Sequence, residues 1–380
     1  MAEGTQDIQG LREVPACEIL DKIEKGEPVE YDHVIIKGDL DIGTLNLPKY
    51  GDKPIITSQI LITNSWMKGK LNFQNAILEK QAFFDHTYFG GYCCFIGVQF
   101  KKGALFRKTK FSDGAVFNEA KFDFQGNFDE AEFLVGAVFL KTQFNSDALF
   151  SRAWFIWDAD FTASQFNGDA HFWGTQFRKH AVFDNATFNK SAYFSKSAYF
   201  GYYAQFFETQ FNGDVLTFKD AVFNNSIAQE GACRRAKNVL ERNGDRQEAG
   251  YHFYREMEAK RRQKPWYIRY PEFFFIQLIF GYGVHPFRLM FCWFAIATIF
   301  AFFYLAKGGI ISKLPASSLL QPLSYFVECF YFSIVTAVTP GYGKYELTSW
   351  VYQVLASVEA IFGTFMWAAF IATFARKYMK

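Results

Sequence analysis

Between Phe73 and Phe194 a large apolar side chain recurs at alternating intervals of five and six residues, so the pattern repeats every 11. The series opens with Phe73, Leu78, Phe84, Phe89, Phe95 and Phe100, and closes with Phe183, Phe188 and Phe194. Two residues before many of these sits an alanine, as at Ala104, Ala115, Ala120, Ala131, Ala137 and Ala148. A helix repeats every ~3.6 residues and a half-buried strand every two, and neither matches this alternation. A coil of short strands joined by tight corners does match it, with one large side chain pointing inward per side and a small one beside it. Such coils stack about 4.8 Å apart and turn the phenylalanines into ladders. This accounts for 48 phenylalanines and an aromatic content of 20%. The phasing loosens over Phe200–Phe218 and ends near Phe223.

A small residue two before a central Leu or Phe resembles the pentapeptide-repeat family. The resemblance implies a right-handed quadrilateral β-solenoid over residues 55–228. Here every second unit has six residues, so a four-sided coil holds 22 rather than the 20 of four five-residue units. Residues 1–54 read as a cap over one open end. They hold a short helix from Pro15 to Lys25, closed by Gly26, and short strands at Val34-Ile35-Ile36 and from Leu40 to Leu47. Residues 71–225 carry 16 Asp+Glu against 14 Lys+Arg, and the whole chain has a net charge of +2. That balance argues against an acidic mimic of DNA and against a nucleic-acid partner. His171 and His180 fall at outward or corner positions beside no repeated carboxylate, and no nucleophile–base pair, metal spacing or phosphate loop marks an enzyme. The six cysteines show no zinc spacing and read as reduced thiols.

Residues 229–264 read as a helical linker. Ala232, Ala236, Val239 and Leu240 form a helical stripe that stops at Asn243-Gly244, and Asp245-Arg246-Gln247-Glu248 has the spacing of a capping box for a second helix. That helix ends in Lys260-Arg261-Arg262, followed by an aromatic belt at Trp266-Tyr267. Residues 265–380 then read as a membrane domain. A slide segment over 271–283 contains the apolar run Phe273–Phe280 and a turn at Gly281-Tyr282-Gly283. Pro286–Ala306 and residues 350–374 are each long enough to cross a hydrocarbon core of about 30 Å. Between them lies an apolar run too short to span, and such a run dips in and returns only where protein or water lines it.

That run leads into Val335-Thr336-Ala337-Val338-Thr339-Pro340-Gly341-Tyr342-Gly343. With Tyr331-Phe332-Ser333 before it and Ala369-Phe370-Ile371-Ala372-Thr373 after it, this stretch resembles the two-transmembrane potassium channels. The resemblance implies an all-α pore domain with a re-entrant loop, a pore helix over 324–337 and a filter at 339–343. It implies a homotetramer that binds K+ through the backbone carbonyls of Thr339, Pro340, Gly341 and Tyr342, with Gly343 closing the motif. Tyr331 and Phe332 are expected to brace the filter. Lys344 and Glu346 are expected at its mouth. Gly363 is expected either as a gating hinge or as a small residue for close packing, and Glu359 is expected to face protein or water.

Two departures bear on selectivity. Pro340 stands where the family has Val or Ile, and Lys344 stands where it has Asp. The flank 260–288 holds six Lys/Arg, whereas residues 307–322 hold Lys307 and Lys313. Positive-inside orientation therefore predicts a multi-pass protein of the cell membrane with both termini and the solenoid in the cytoplasm. The expected function is a tetrameric, potassium-selective cation channel with no cofactor beyond its permeant ion. The solenoid is expected to act as regulator or scaffold, with room for an unknown cytosolic protein partner. The alternative is a membrane-tethered interaction protein whose pore is non-conducting or weakly selective.

Overall fold

A computed structural model describes residues 10–306, 309–312, 321–338 and 345–378. The chain divides into two units, Met1–Gln263 and Lys264–Lys380.

The first unit is a four-sided parallel β-solenoid. Its faces are four sheets, each of eight to ten strands among the described residues. Register is kept by whole coils of 22 residues: Ala82 opposes Ala104, Phe89 opposes Phe111 and Ala115 opposes Ala137. The backbone pairs from coil to coil, with Phe106 N–H donating to the Asn127 carbonyl at 2.7 Å and Phe117 N–H to Val138 at 2.7 Å. The phenylalanines fill the bore in stacked columns. Phe128 lies over Phe106 and under Phe150 with ring centroids 5.0 and 4.9 Å apart, and meets Phe117 and Phe139 edge-on at 5.3 and 5.5 Å. Both arrangements suit the ring quadrupole, and complete burial supplies most of the stabilisation.

The corners explain the period of 11. Residues Asn75, His86, Lys108, Glu119, Glu130, Lys141, Arg152, Ala163 and Asn185 all take positive φ, between 55° and 60°, at multiples of 11 residues. Left-handed backbone costs about 1–2 kcal/mol for a residue with a Cβ, and the hydrogen-bonded coils on either side hold it. The residue after each such corner drops into a buried slot too small for a large side chain. Alanine fills it at Ala76, Ala120, Ala131 and Ala153, and threonine fills it at Thr87, Thr109, Thr142 and Thr175. Each threonine hydroxyl donates to a backbone carbonyl of the neighbouring coil: Thr87 to Ile62 at 2.8 Å, and Thr109 to Phe84, Thr142 to Phe117 and Thr175 to Phe150, all at 2.7 Å. Without that partner the buried hydroxyl would be a net cost. The loosened phasing traces to two inserted residues: one at Lys196–Ser197, where both φ values are positive, and one between Phe211 and Leu216, so that Ala192 opposes Leu216 at 24 residues and Phe177 stacks on Phe200 at 5.2 Å.

Both ends of the phenylalanine stack are covered. Helix α1 (Ala16–Lys25) buries Ile19 and Ile23, and its C-cap Gly26 is left-handed at φ 72°. The coiling starts before residue 55, because Val29–Asp32 pairs with Ile60–Thr63 and Ile35–Ile36 pairs with Trp66–Met67. At the other end α2 (Ser226–Arg242), N-capped by Asn225, puts Ala232, Ala236 and Val239 into the same core as Phe223. Helix α3 (Arg246–Arg262) packs on α2, and its N-cap Asp245 accepts from Glu248 N–H at 3.0 Å. The nearly buried carboxylate of Glu256 meets Arg234, Lys237 and Lys260 at 3.1, 3.2 and 2.8 Å. Those hydrogen-bonded cations hold its pKa below the usual carboxylate range despite burial. Residues 229–263 thus belong structurally to the solenoid unit, because an open stack of phenylalanines needs a cover. His180 has one acid neighbour, with Nδ1 2.8 Å from Asp158. All six cysteines are free thiols.

The second unit begins with α4 (Trp266–Pro271), which passes into a π-helical stretch at Glu272–Ile279 and a tight turn at Gly281–Gly283, where Tyr282 has φ 53°. Trp266, Tyr267, Tyr270, Phe274 and Phe275 are all exposed on this segment. Three helices follow: α5 (Pro286–Ala306), α6 (Gln321–Val338) and α7 (Trp350–Tyr378). Helices α5 and α7 are long and apolar enough to cross a membrane. A two-stranded antiparallel ribbon pairs Ile310–Ser312 with Tyr345–Leu347.

Candidate functional site

The site is defined by how α6 sits between α5 and α7. Near the start of α6, the Tyr325 hydroxyl donates to the Ile310 carbonyl at 3.0 Å, just beyond the end of α5. Two turns on, the Ser333 hydroxyl reaches the Ala297 carbonyl at 2.8 Å, and Ala337 clusters with Leu289 and Trp293 near the start of α5. Helix α6 therefore runs antiparallel to α5. It runs parallel to α7, since Ser333 meets Glu359 and Ala337 meets Gly363. Val338, the last residue of α6, borders Leu289, Met290 and Trp293, whereas Tyr345 is back beside Ser312 at the far end of α5. The short helix enters beside the end of α5 and the chain returns to that same level, as a re-entrant segment must.

Thr339, Pro340, Gly341, Tyr342, Gly343 and Lys344 lie outside the described residues. Their immediate supports are described. Phe332 is buried and meets Tyr304 edge-on at 5.0 Å and Tyr345 at 5.6 Å. Tyr331 is exposed, with its ring 6.3 Å from Tyr345. The two aromatics thus converge on the first described residue after the motif. Glu346 opposes Ile311 in the ribbon.

Gly363 is pressed against α6. A Cβ added there would fall 2.3 Å from the Ala337 carbonyl oxygen and 2.6 Å from its Cα. The absence of a side chain is what lets α7 lie on the end of α6, so packing alone requires glycine at this position.

One turn before Gly363, Glu359 is buried at 1% exposure. Its Oε2 accepts from the Tyr304 hydroxyl at 2.7 Å, and its Oε1 is hydrogen-bonded to the Ser333 hydroxyl. A carboxyl group deep in an apolar bundle has to be satisfied in this way. Sequence reasoning singled out Glu359 but not its partners. Tyr304 and Ser333 are 55 and 26 residues away, and only Ser333 carried a signal, as the residue after Tyr331-Phe332.

Two membrane-length helices enclosing a re-entrant helix, C-terminal to a parallel β-solenoid, define a pore-type membrane unit fused to a repeat domain. The comparison with protein families agrees: residues 289–380 match the family model described as ion channel. The match spans α6 and α7 and begins inside α5, about a quarter of the chain. The C-terminal unit carries an ion channel domain. No curated protein and no solved structure matched the chain.

Proposed function

We propose that the protein is a homotetrameric, potassium-selective channel of the cell membrane, with its solenoid in the cytoplasm as regulator or scaffold. The observation that carries the reading is the re-entrant α6, which ends at Val338 one residue before Thr339-Pro340-Gly341-Tyr342-Gly343. One chain supplies one such loop, and a ring of carbonyls around an ion needs four. In this reading the carbonyls of Thr339, Pro340, Gly341 and Tyr342 replace the hydration shell of K+. The C-terminal partial negative charge of α6 favours a cation in front of it. The excess of Lys/Arg in residues 260–288 supports both termini being inside.

A second reading is favoured by Pro340 and Lys344. Proline removes a backbone N–H behind the loop, and four lysines would ring the mouth with positive charge. A channel bearing both is weakly conducting or serves as a membrane tether for the solenoid. Potassium flux from the purified protein in liposomes separates the two. Flux that barium blocks, and that Tyr342→Ala strips of its potassium-over-sodium preference, supports the first reading. No flux above empty liposomes supports the second.

A further inference from the structure

The cluster around Glu359 joins three helices at one point, and its hydrogens can be counted. Tyr304 on α5 donates its hydroxyl hydrogen to Oε2 at 2.7 Å. Ser333 on α6 has a single hydroxyl hydrogen, yet its oxygen lies 2.8 Å from the Ala297 carbonyl of α5 and also contacts Oε1 of Glu359. A carbonyl and an ionised carboxylate both only accept, so an ionised Glu359 leaves one of those two contacts without a hydrogen. A proton on Oε1 completes the set: Glu359 donates to Ser333, Ser333 donates to Ala297, and Tyr304 donates to Oε2. Ser333 and Glu359 are themselves 0% and 1% exposed, so the cluster is closed to bulk water.

The cluster sits where it can matter for the loop that follows. Ser333 and Ala337 lie four residues apart on α6, and they meet Glu359 and Gly363, four residues apart on α7. The two contacts lock the parallel helices in register along one face, and Thr339 comes two residues after Ala337.

We propose that Glu359 is a positioning residue: as a neutral carboxylic acid it clamps the re-entrant helix to both spans and so sets where the Thr339–Gly343 motif is held. Its effect on ions rests on the pore reading above, while the clamp itself does not. Glutamine keeps a donor group and a carbonyl acceptor in nearly the same shape, with one N–H more than the acid, and alanine removes both.

The test uses the full-length protein with Glu359→Gln, Glu359→Ala and Ser333→Ala. Two readouts are taken: amide hydrogen exchange over residues 325–338 in lipid nanodiscs, and the potassium-over-sodium permeability ratio in planar bilayers. Loss of a buried hydrogen bond is expected to speed exchange in the two alanine variants about tenfold and to lower the permeability ratio by a similar factor. Glu359→Gln is expected within about twofold of the parent in both. Unchanged exchange in Glu359→Ala overturns the clamp, and Glu359→Gln behaving like Glu359→Ala overturns the neutral acid. Faster exchange with an unaltered permeability ratio overturns the link to the motif. If Glu359→Ala does not assemble, Ser333→Ala carries the same comparison with a smaller change in volume. If the parent passes no ions the pore reading fails, and the exchange data still decide the clamp.

Discussion

Replacing Gly363 by alanine sets two free energies of opposite sign against each other. Alanine in a helix interior is favoured over glycine by about 1 kcal/mol, so a glycine kept only as a hinge would give a more stable protein when replaced. The structure places the new Cβ 2.3 Å from the Ala337 carbonyl oxygen and 2.6 Å from its Cα, both backbone atoms. Ordinary contact needs about 1 Å more, and neither atom can swing aside as a flexible side chain would. Forcing a methyl group into such a contact costs about 1–3 kcal/mol. Pushing α7 off α6 also strains the Glu359–Ser333 contact one turn away, where a lost buried hydrogen bond costs about 1–3 kcal/mol more. The balance is a net loss of about 1–5 kcal/mol. Thermal unfolding of the full chain in detergent, followed by tryptophan fluorescence, should therefore show a lower midpoint for Gly363→Ala. Adding Ala337→Gly should not restore it, because the carbonyl oxygen stays in place. A higher midpoint for Gly363→Ala, or full recovery in the double variant, would refute the packing argument and favour the hinge.

In the solenoid, Phe128→Ala removes a fully buried ring stacked between Phe106 and Phe150. It should cost about 3–5 kcal/mol in urea unfolding followed by circular dichroism, against about 1 kcal/mol for Phe128→Leu, which refills most of the volume. Burial, then the neighbouring Arg255 and Lys219, depress the His252 pKa to about 3. The unfolded chain, titrating near 6.5, binds the extra proton between those values, so stability is constant above pH 6.5 and falls as the pH drops below it. The loss should reach about 2 kcal/mol by pH 5, and His252→Gln should flatten that part of the thermal midpoint against pH. At the mouth, Lys344→Asp should raise single-channel conductance, most clearly at low salt where screening is weakest, and a salt-independent result would mean that Lys344 lies off the ion path.

Helix α1, the capping box at Asp245 and the whole of α5 were legible because each is a local pattern, written in a few consecutive residues. The fate of residues 229–263 was not. A polar helical pair reads as a linker until one sees that Ala232, Ala236 and Val239 close the last coil beside Phe223. The start of α6 at Gln321, three residues before the expected 324, lay within the usual uncertainty of helix ends. The motif at 339–343 was visible only as a sequence, and the structure contributes its frame: Val338 on one side and Tyr345 on the other.

The repeat of 11 by itself determined a solenoid, because no other backbone geometry brings a phenylalanine inward at alternating steps of five and six. Two long apolar runs around a short one likewise marked two helices long and apolar enough to cross a membrane, with a segment between them too short to span. Which corner residues turn left-handed, why threonine shares a slot with alanine, and what Glu359 and Gly363 touch were decided only by tertiary structure. Those contacts join residues about one coil apart in the solenoid, as in Thr109 to Phe84, and 26 to 55 apart around Glu359. A carboxyl group is satisfied, and a glycine required, by atoms that arrive from other helices, and no window of sequence contains them.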